Sequence, residues 1–242
     1  PLDLPVKDVR SLSAAPDRPT LWIVARLEAS SASQTAGSGS DAEAAAGERA
    51  LVRWEDGRWE GYLQGDDPLA VAAGPRGRVY AWTRHRGLLV SLDEGQSWEA
   101  LETPYRPQAA GVALAADPHQ PGHLLSTGPG GLWQSRDGGR TWSRTEVEAV
   151  ITAIAFHPHQ RGEVWLTHEE GVLVSRDGGR TAEPLDGSPQ RSLVGLAWWK
   201  HGQDPVPVVL ATNGDFYAHH DGWRLAAVDA VGWASGPSGT ES

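Results

Sequence analysis

The chain has 242 residues, 39% of them hydrophobic, which is enough to fill one sizeable core without a metal or disulfide staple. It contains no cysteine, so thiol chemistry, cysteine-ligated zinc and disulfides are excluded together. Its net charge of −10 argues against nucleic acid or an anionic membrane as a general partner, and no apolar stretch approaches the ~20 residues needed to span a bilayer.

In chain order, residues 9–14 and 21–25 read as short strands, separated by the turn cluster Ala15-Pro16-Asp17-Arg18-Pro19. Residues 30–47 are rich in Ser, Ala and Gly with almost no apolar bulk, and are expected to form a flexible insertion. The run 50–59 reads as a hairpin that turns at Asp56-Gly57 and ends in Trp59. The next unit repeats the plan: strand-like runs at 69–73 and 79–82, then the hairpin GLLVSLDEGQSW over 87–98. A third unit has runs at 112–116 and 123–126 and the hairpin GLWQSRDGGRTW over 131–142. The fourth has 151–156 and 164–167 and ends in GVLVSRDGGRTA over 171–182. The fifth has 193–198 and 208–212, then DFYAHHDGW over 215–223. The tail, 235–242, is linker-like.

Ser91, Ser135 and Ser175 mark the same point in three near-identical hairpins and lie 44 and 40 residues apart. A period of this size is that of a four-stranded propeller blade. The hairpins resemble the Asp-box (BNR) pattern Ser-x-Asp-x-Gly-x-Thr-Trp of sialidases, sortilin-type receptors and Ycf48-type photosystem II assembly factors. The residues that carry the likeness are Ser91, Asp93, Gly95 and Trp98, then Ser135, Asp137, Gly139 and Trp142, and finally Ser175, Asp177 and Gly179. The third copy departs from the pattern at Ala182, where tryptophan is expected. The resemblance implies an all-β propeller in which the Asp caps turn amides and the Trp packs between blades, so these residues are structural. The expected domain covers 1–234, with blades at about 6–64, 65–104, 105–147, 148–187 and 188–228. No blade shared between the two ends is evident. Closure is therefore expected to rest on packing of the fifth blade against the first, helped by residues 1–5 or 228–233.

Twelve tryptophans invite a binding interpretation, but most have a packing role in this plan. Trp59, Trp98, Trp142 and Trp223 stand at or near the box position, and Trp22, Trp82, Trp133 and Trp165 on strands. Trp199 and Trp233 are the ones expected to be exposed.

In a propeller, the loops joining second to third strands and those joining successive blades share one mouth of the channel, and the box turns face the other way. The mouth-facing candidates for binding are Arg84, His85 and Arg86 in blade 2, His168, Glu169 and Glu170 in blade 4, and Asn213 and Asp215 in blade 5. Arg106 and Arg191, with Asp66, Asp67, Tyr105, Glu146, Glu148 and Gln190, come from the inter-blade links. The rim is thus mixed in sign, as suits recognition of a protein segment or polar ligand.

No catalytic residues, metal ligands or cofactors are assigned. His157 and His159, or His219 and His220, form pairs without a third ligand, and no phosphate-binding glycine loop occurs. The resemblance implies a non-catalytic scaffold working outside the cytoplasm, as an accessory or assembly subunit with a protein partner such as a membrane-complex subunit. One alternative is a carbohydrate-binding or glycoside-cleaving propeller, which requires Trp199, Tyr105 and Glu169 to cluster at one mouth. Another is a structural module of a larger extracellular assembly, with 30–47 and the tail making inter-subunit contacts.

Overall fold

A computed structural model describes residues 6–27, 48–107, 111–201 and 204–227. The insertion at 30–47, the tail, Trp233 and the segments 1–5 and 228–233 lie outside these. The chain forms five antiparallel sheets of four strands each, arranged as a β-propeller, and each sheet keeps its strands in sequence order. Blade 1 holds β1 (Val6–Ala14), β2 (Leu21–Leu27), β3 (Arg49–Glu55) and β4 (Arg58–Tyr62). Blade 2 holds β5 (Pro68–Ala73), β6 (Val79–Thr83), β7 (Gly87–Ser91) and β8 (Glu99–Leu101). Blade 3 holds β9 (Leu114–Ala116), β10 (Leu124–Gly128), β11 (Gly131–Ser135) and β12 (Ser143–Arg144). Blade 4 holds β13 (Ile151–Phe156), β14 (Val164–His168), β15 (Gly171–Ser175) and β16 (Glu183–Pro184). Blade 5 holds β17 (Leu193–His201), β18 (Asp204–Ala211), β19 (Phe216–His219) and β20 (Trp223–Ala227).

The strand sequences explain the layering. A blade in mid-array is covered on both faces, so its central strands are apolar without alternation: β5, β6 and β7 are buried at every position. At the blade 1–2 junction, Trp22, Val24 and Leu51 meet Val71, Ala73, Val79 and Ala81. Side-chain hydroxyls join the inner strands as well. Ser11 and Ser13 of β1 accept the amides of Val71 and Ala73 on β5, at 3.1 and 2.9 Å. Thr152 of β13 donates to the carbonyl of Leu193 on β17 at 2.6 Å.

Turn chemistry follows the residues at each hairpin. Asp56 and Gly57 both take positive φ, 48° and 77°, as the two-residue link between β3 and β4 demands. In the three Ser-x-Asp turns the serine Oγ donates to the aspartate and accepts the amide of Gly95, Gly139 or Gly179, at 2.7–2.8 Å. The aspartate then accepts the amide and the hydroxyl of Ser97, Thr141 or Thr181. Bonds from Ser97 hold the Asp93 carboxyl at about 2. At Asp137 burial acts the other way but is outweighed by Thr141 and Ser135, and the group again lies at about 2. At Asp177 the same balance lowers the carboxyl below its ordinary value. The stability these bonds supply is present above the unfolded carboxylate value near pH 4 and is lost as pH falls through the folded value. The expected result is a falling denaturation midpoint between about pH 4 and pH 2. A triple Asp→Asn variant at 93, 137 and 177 should flatten that slope; an unchanged slope would assign the acid response to other carboxyl groups.

The tryptophans pack between blades with a regular logic. Trp98 of blade 2 meets Trp22 of blade 1 at 6.5 Å between ring centroids, Trp142 meets Trp82 at 6.5 Å, and Trp223 meets Trp165 at 6.1 Å. At the blade 3–4 junction, where Ala182 replaces the ring, Leu125 fills the space beneath Gly179. Trp59 departs from the plan and packs within blade 1, against Trp54.

Neighbouring inner strands pack in series, β1 on β5, β5 on β9, β9 on β13 and β13 on β17. Among the described residues no comparable packing joins β17 to β1. The segments 1–5 and 228–233, expected to help blade 5 close against blade 1, lie outside the described residues. Val9 and Leu12 on β1 stand 51% and 57% exposed.

Candidate functional site

The mouth rim is assembled by the β6–β7 loop of blade 2 and the link that precedes β5. Asp67, at the end of that link, accepts from Arg49 Nη1 at 2.6 Å and from the Nε of Arg84. Arg86 Nη1 reaches Asp66 at 3.2 Å. The backbone repeats these pairings, with the Arg84 and His85 amides donating to the carbonyls of Asp67 and Asp66 at 3.0 and 3.4 Å. Thr83 closes the loop from within, accepting the Arg86 amide and donating to the Gly87 carbonyl. The loop is short and doubly tied, so its guanidinium groups have a fixed direction while their side chains stay 44% exposed. Arg106 joins the same sector, with its Nε 3.8 Å from where a Cβ on Gly87 would lie. It is exposed, and among the described residues no carboxylate lies within ion-pair distance of it.

In blade 5 Asp215 is a hub. Its Oδ2 takes bonds from Arg191 Nη1 at 3.1 Å, Asn213 Nδ2 at 2.8 Å and the Tyr217 hydroxyl at 3.3 Å. The Arg191 guanidinium also sits 5.5 Å above the Tyr217 ring, which adds a cation–π contact. Arg191, Asn213 and Asp215 are therefore one mutually satisfied cluster. In blade 4, His168 Nδ1 accepts the Glu170 amide at 3.4 Å, and both Glu169 and Glu170 are exposed. The blade 2 loop thus presents arginines braced by Asp66 and Asp67, and the blade 4 loop presents two exposed carboxylates.

Three residues are not where a mouth site requires them. Tyr105 is buried between blades 2 and 3 against Trp82, Trp133 and Trp142, and burial pushes its hydroxyl up to about 12. Glu146 lies between blades 3 and 4, pairing with Arg180 Nη2 at 3.0 Å while its amide bonds the Arg180 carbonyl. Trp199 is 49% exposed, as expected, but sits near the β17–β18 turn at the end opposite the mouth. Tyr105, Trp199 and Glu169 are therefore separated rather than clustered.

Sequence reasoning did not single out Arg49, which pairs with Asp67 from the far side of the insertion. Nor did it single out several arginines of the opposite end. Arg76, Arg78, Arg136, Arg140, Arg161 and Arg176 project from the turns of blades 2–4 there, and among the described residues none has a carboxylate within ion-pair distance. The signal for the latter was present in the repeated RDGGR of blades 3 and 4. Among the described residues there is no group of three or more His, Cys, Asp or Glu side chains able to hold a metal ion. No described helix is long and apolar enough to cross a membrane.

The sequence matches no protein-family model and no curated protein sequence. Solved structures do match the fold. The structure of YCF48 bound to D1 peptide aligns with a TM-score of 0.56 at 18% identity, covering 91% of this chain and 67% of that one. A GH74 xyloglucanase from Xanthomonas campestris aligns at 0.58 and 16% identity, covering 92% of this chain and 32% of the enzyme. An ancestral GH74 enzyme aligns at 0.58 and 17% identity, with 93% and 32% covered. The chain thus spans about a third of each GH74 protein, and at these identities the likeness is one of fold alone.

Proposed function

We propose that this chain is a non-catalytic binding scaffold, an accessory or assembly subunit of the Asp-box propeller type that recognises a protein segment through its mouth rim. The observation that carries the reading is the bracing of Arg84 and Arg86 by Asp67 and Asp66 on a loop with backbone ties of its own. Binding to a rim already in place costs little ordering entropy, and its separated basic and acidic sectors select orientation. A solved propeller of similar fold holds a peptide, which supports the same use here. His85, Arg106, His168, Glu169 and Glu170 complete the recognising surface, and Arg191, Asn213 and Asp215 brace its blade 5 side. A location outside the cytoplasm and a partner within a membrane complex belong to this reading. A carbohydrate ligand draws on the GH74 likeness alone, and among the described residues Trp199, Tyr105 and Glu169 do not form the aromatic and carboxylate cluster it needs at the mouth.

A second reading is favoured by Arg76, Arg78, Arg136, Arg140, Arg161 and Arg176 at the opposite end, which, unlike Arg84 and Arg86, have no carboxylate partner among the described residues. They would attract an acidic protein segment from that side. One experiment separates the two: capture of partners from membrane and soluble fractions of the source cells, using wild-type chain, an Arg84→Glu/Arg86→Glu bait and an Arg136→Glu/Arg140→Glu/Arg176→Glu bait. The mouth reading expects one stoichiometric partner lost only with the first variant, with association slowed by roughly tenfold or more at low salt. Loss only with the second variant moves the site to the opposite end. Capture unaffected by either overturns both.

A further inference from the structure

The loop between first and second strands in blades 3 and 4 is folded around one capping side chain. In blade 3 the cap is Asp117. Its Oδ1 accepts the amides of His119 and Gln120 at 2.8 and 3.2 Å, and its Oδ2 meets His123 Nδ1 at 2.9 Å. Blade 4 reads HPHQRGE over 157–163 where blade 3 reads DPHQPGH over 117–123, so an imidazole stands in the capping position. His157 Nδ1 takes over both bonds, accepting the amides of His159 at 3.0 Å and Gln160 at 2.9 Å. A carboxylate keeps its acceptors throughout the physiological range, whereas an imidazole nitrogen accepts only while it carries no proton. His157 is buried, with its ring against Trp198 of β17 at a centroid distance of 4.4 Å.

We propose that His157 is an acid-sensitive latch between blades 4 and 5, whose protonation withdraws the acceptor from both turn amides and loosens the turn from Trp198. The groups around it set the response. Burial is the largest influence and favours the neutral ring; Glu163 on the same turn opposes it, and His159 and His119 add to it. Glu163 is engaged elsewhere, accepting from Trp165 Nε1 at 2.8 Å. His119, from the neighbouring turn, places its Nε2 3.3 Å from the His157 carbonyl oxygen. From β17 the facing group is the uncharged Trp198 ring. The folded His157 therefore titrates below the ordinary value of 6.5. The opened turn takes up the proton first, so the turn is fully stable above about pH 6.5 and loses stability as pH falls below it. Asp117 has the opposite behaviour. Burial works against its charge, but bonds from His123 and the turn amides hold it below the usual carboxylate range. Its turn stays capped in mild acid.

Amide hydrogen exchange of the whole chain at pH 7.5 and pH 5.5, normalised for intrinsic rates, tests the latch. The His159 and Gln160 amides should lose protection at the lower pH by up to roughly tenfold per pH unit of completed protonation. Those of His119 and Gln120 should not change. His157→Asn keeps an acceptor that does not titrate, and should abolish the pH response of residues 159 and 160. Unchanged protection of these two amides in the wild type, or a loss shared equally by both turns, overturns the proposal. If the variant does not fold, comparison of the two turns within the wild-type chain still decides it.

Discussion

Replacing Trp82 by alanine is expected to lower unfolding stability by about 3–5 kcal/mol, the range found when a large aromatic side chain is removed from a packed core. Trp82 is fully buried at the blade 2–3 junction and stacks on Tyr105 at 5.5 Å and Trp142 at 6.5 Å. Its Nε1 donates to Ser126 Oγ at 2.9 Å, so the substitution also removes the donor to this buried hydroxyl, which keeps only its bond to the Thr127 carbonyl. The site cannot collapse easily, because Tyr105 is wedged against Gly128, where even a methyl group would meet its ring at 2.6 Å. Among the described residues the inner strands pack mainly on their neighbours in series, so damage at this junction should uncouple blades 1–2 from blades 3–5. Urea denaturation followed by tryptophan fluorescence checks this. The expected signature is a lower midpoint with a broadened or two-step transition. A loss below about 1 kcal/mol with an unchanged slope would mean that this junction does not carry the array.

The second large effect is expected at Gly131, the first residue of β11. Its φ is 129°, and an added Cβ would lie 2.5 Å from the carbonyl oxygen of Val147. That oxygen accepts the Leu132 amide and belongs to the backbone of the link into blade 4, so it cannot turn aside as a side chain would. Gly131→Ala therefore combines a backbone region closed to residues with a Cβ and a collision with main chain. A cost of about 2–3 kcal/mol is expected. Gly187→Ala is the control, because Gly187 also has positive φ, 72°, but no atom lies within 4 Å of its notional Cβ. It should cost only about 1–2 kcal/mol, the price of the left-handed backbone alone. Thermal unfolding of the pair separates collision from backbone strain, and equal losses in the two variants would show that the Val147 contact relaxes freely.

Much of this was readable from sequence because it is local. The Asp56-Gly57 turn, the Ser-x-Asp hairpins and the apolar runs each depend on residues within about ten positions of one another. Their periodic return gives the blade number. Strand limits shifted modestly: β17 and β18 form a longer hairpin than their apolar cores suggested, reaching His201 and Asp204. Pro205 and Pro207 fall in the part of β18 beyond its pairing with β19, where the missing amides leave no ladder bond unmade. The candidate rim was legible as a set of loops. What escaped was how its charges are compensated. Arg49 and Asp67 are separated by a hairpin in sequence, and Glu146 meets Arg180 across a blade boundary. His157 looked like half of an incomplete metal pair, although its alignment with Asp117 already marked it as a turn cap.

The sequence by itself determined an all-β propeller of five blades, the chemistry of its turns and the strands that fill its core. These are set by periods and turn residues, whose physics acts over a few bonds. Only the tertiary structure decided that Tyr105 is packing rather than platform, that Trp199 stands away from the mouth, and that Arg84 and Arg86 are paired whereas, among the described residues, Arg136, Arg140 and Arg176 have no carboxylate partner. Pairing and burial depend on side chains approaching within about 3–4 Å. The angle between successive blades sets that approach, and spacing along the chain does not encode it.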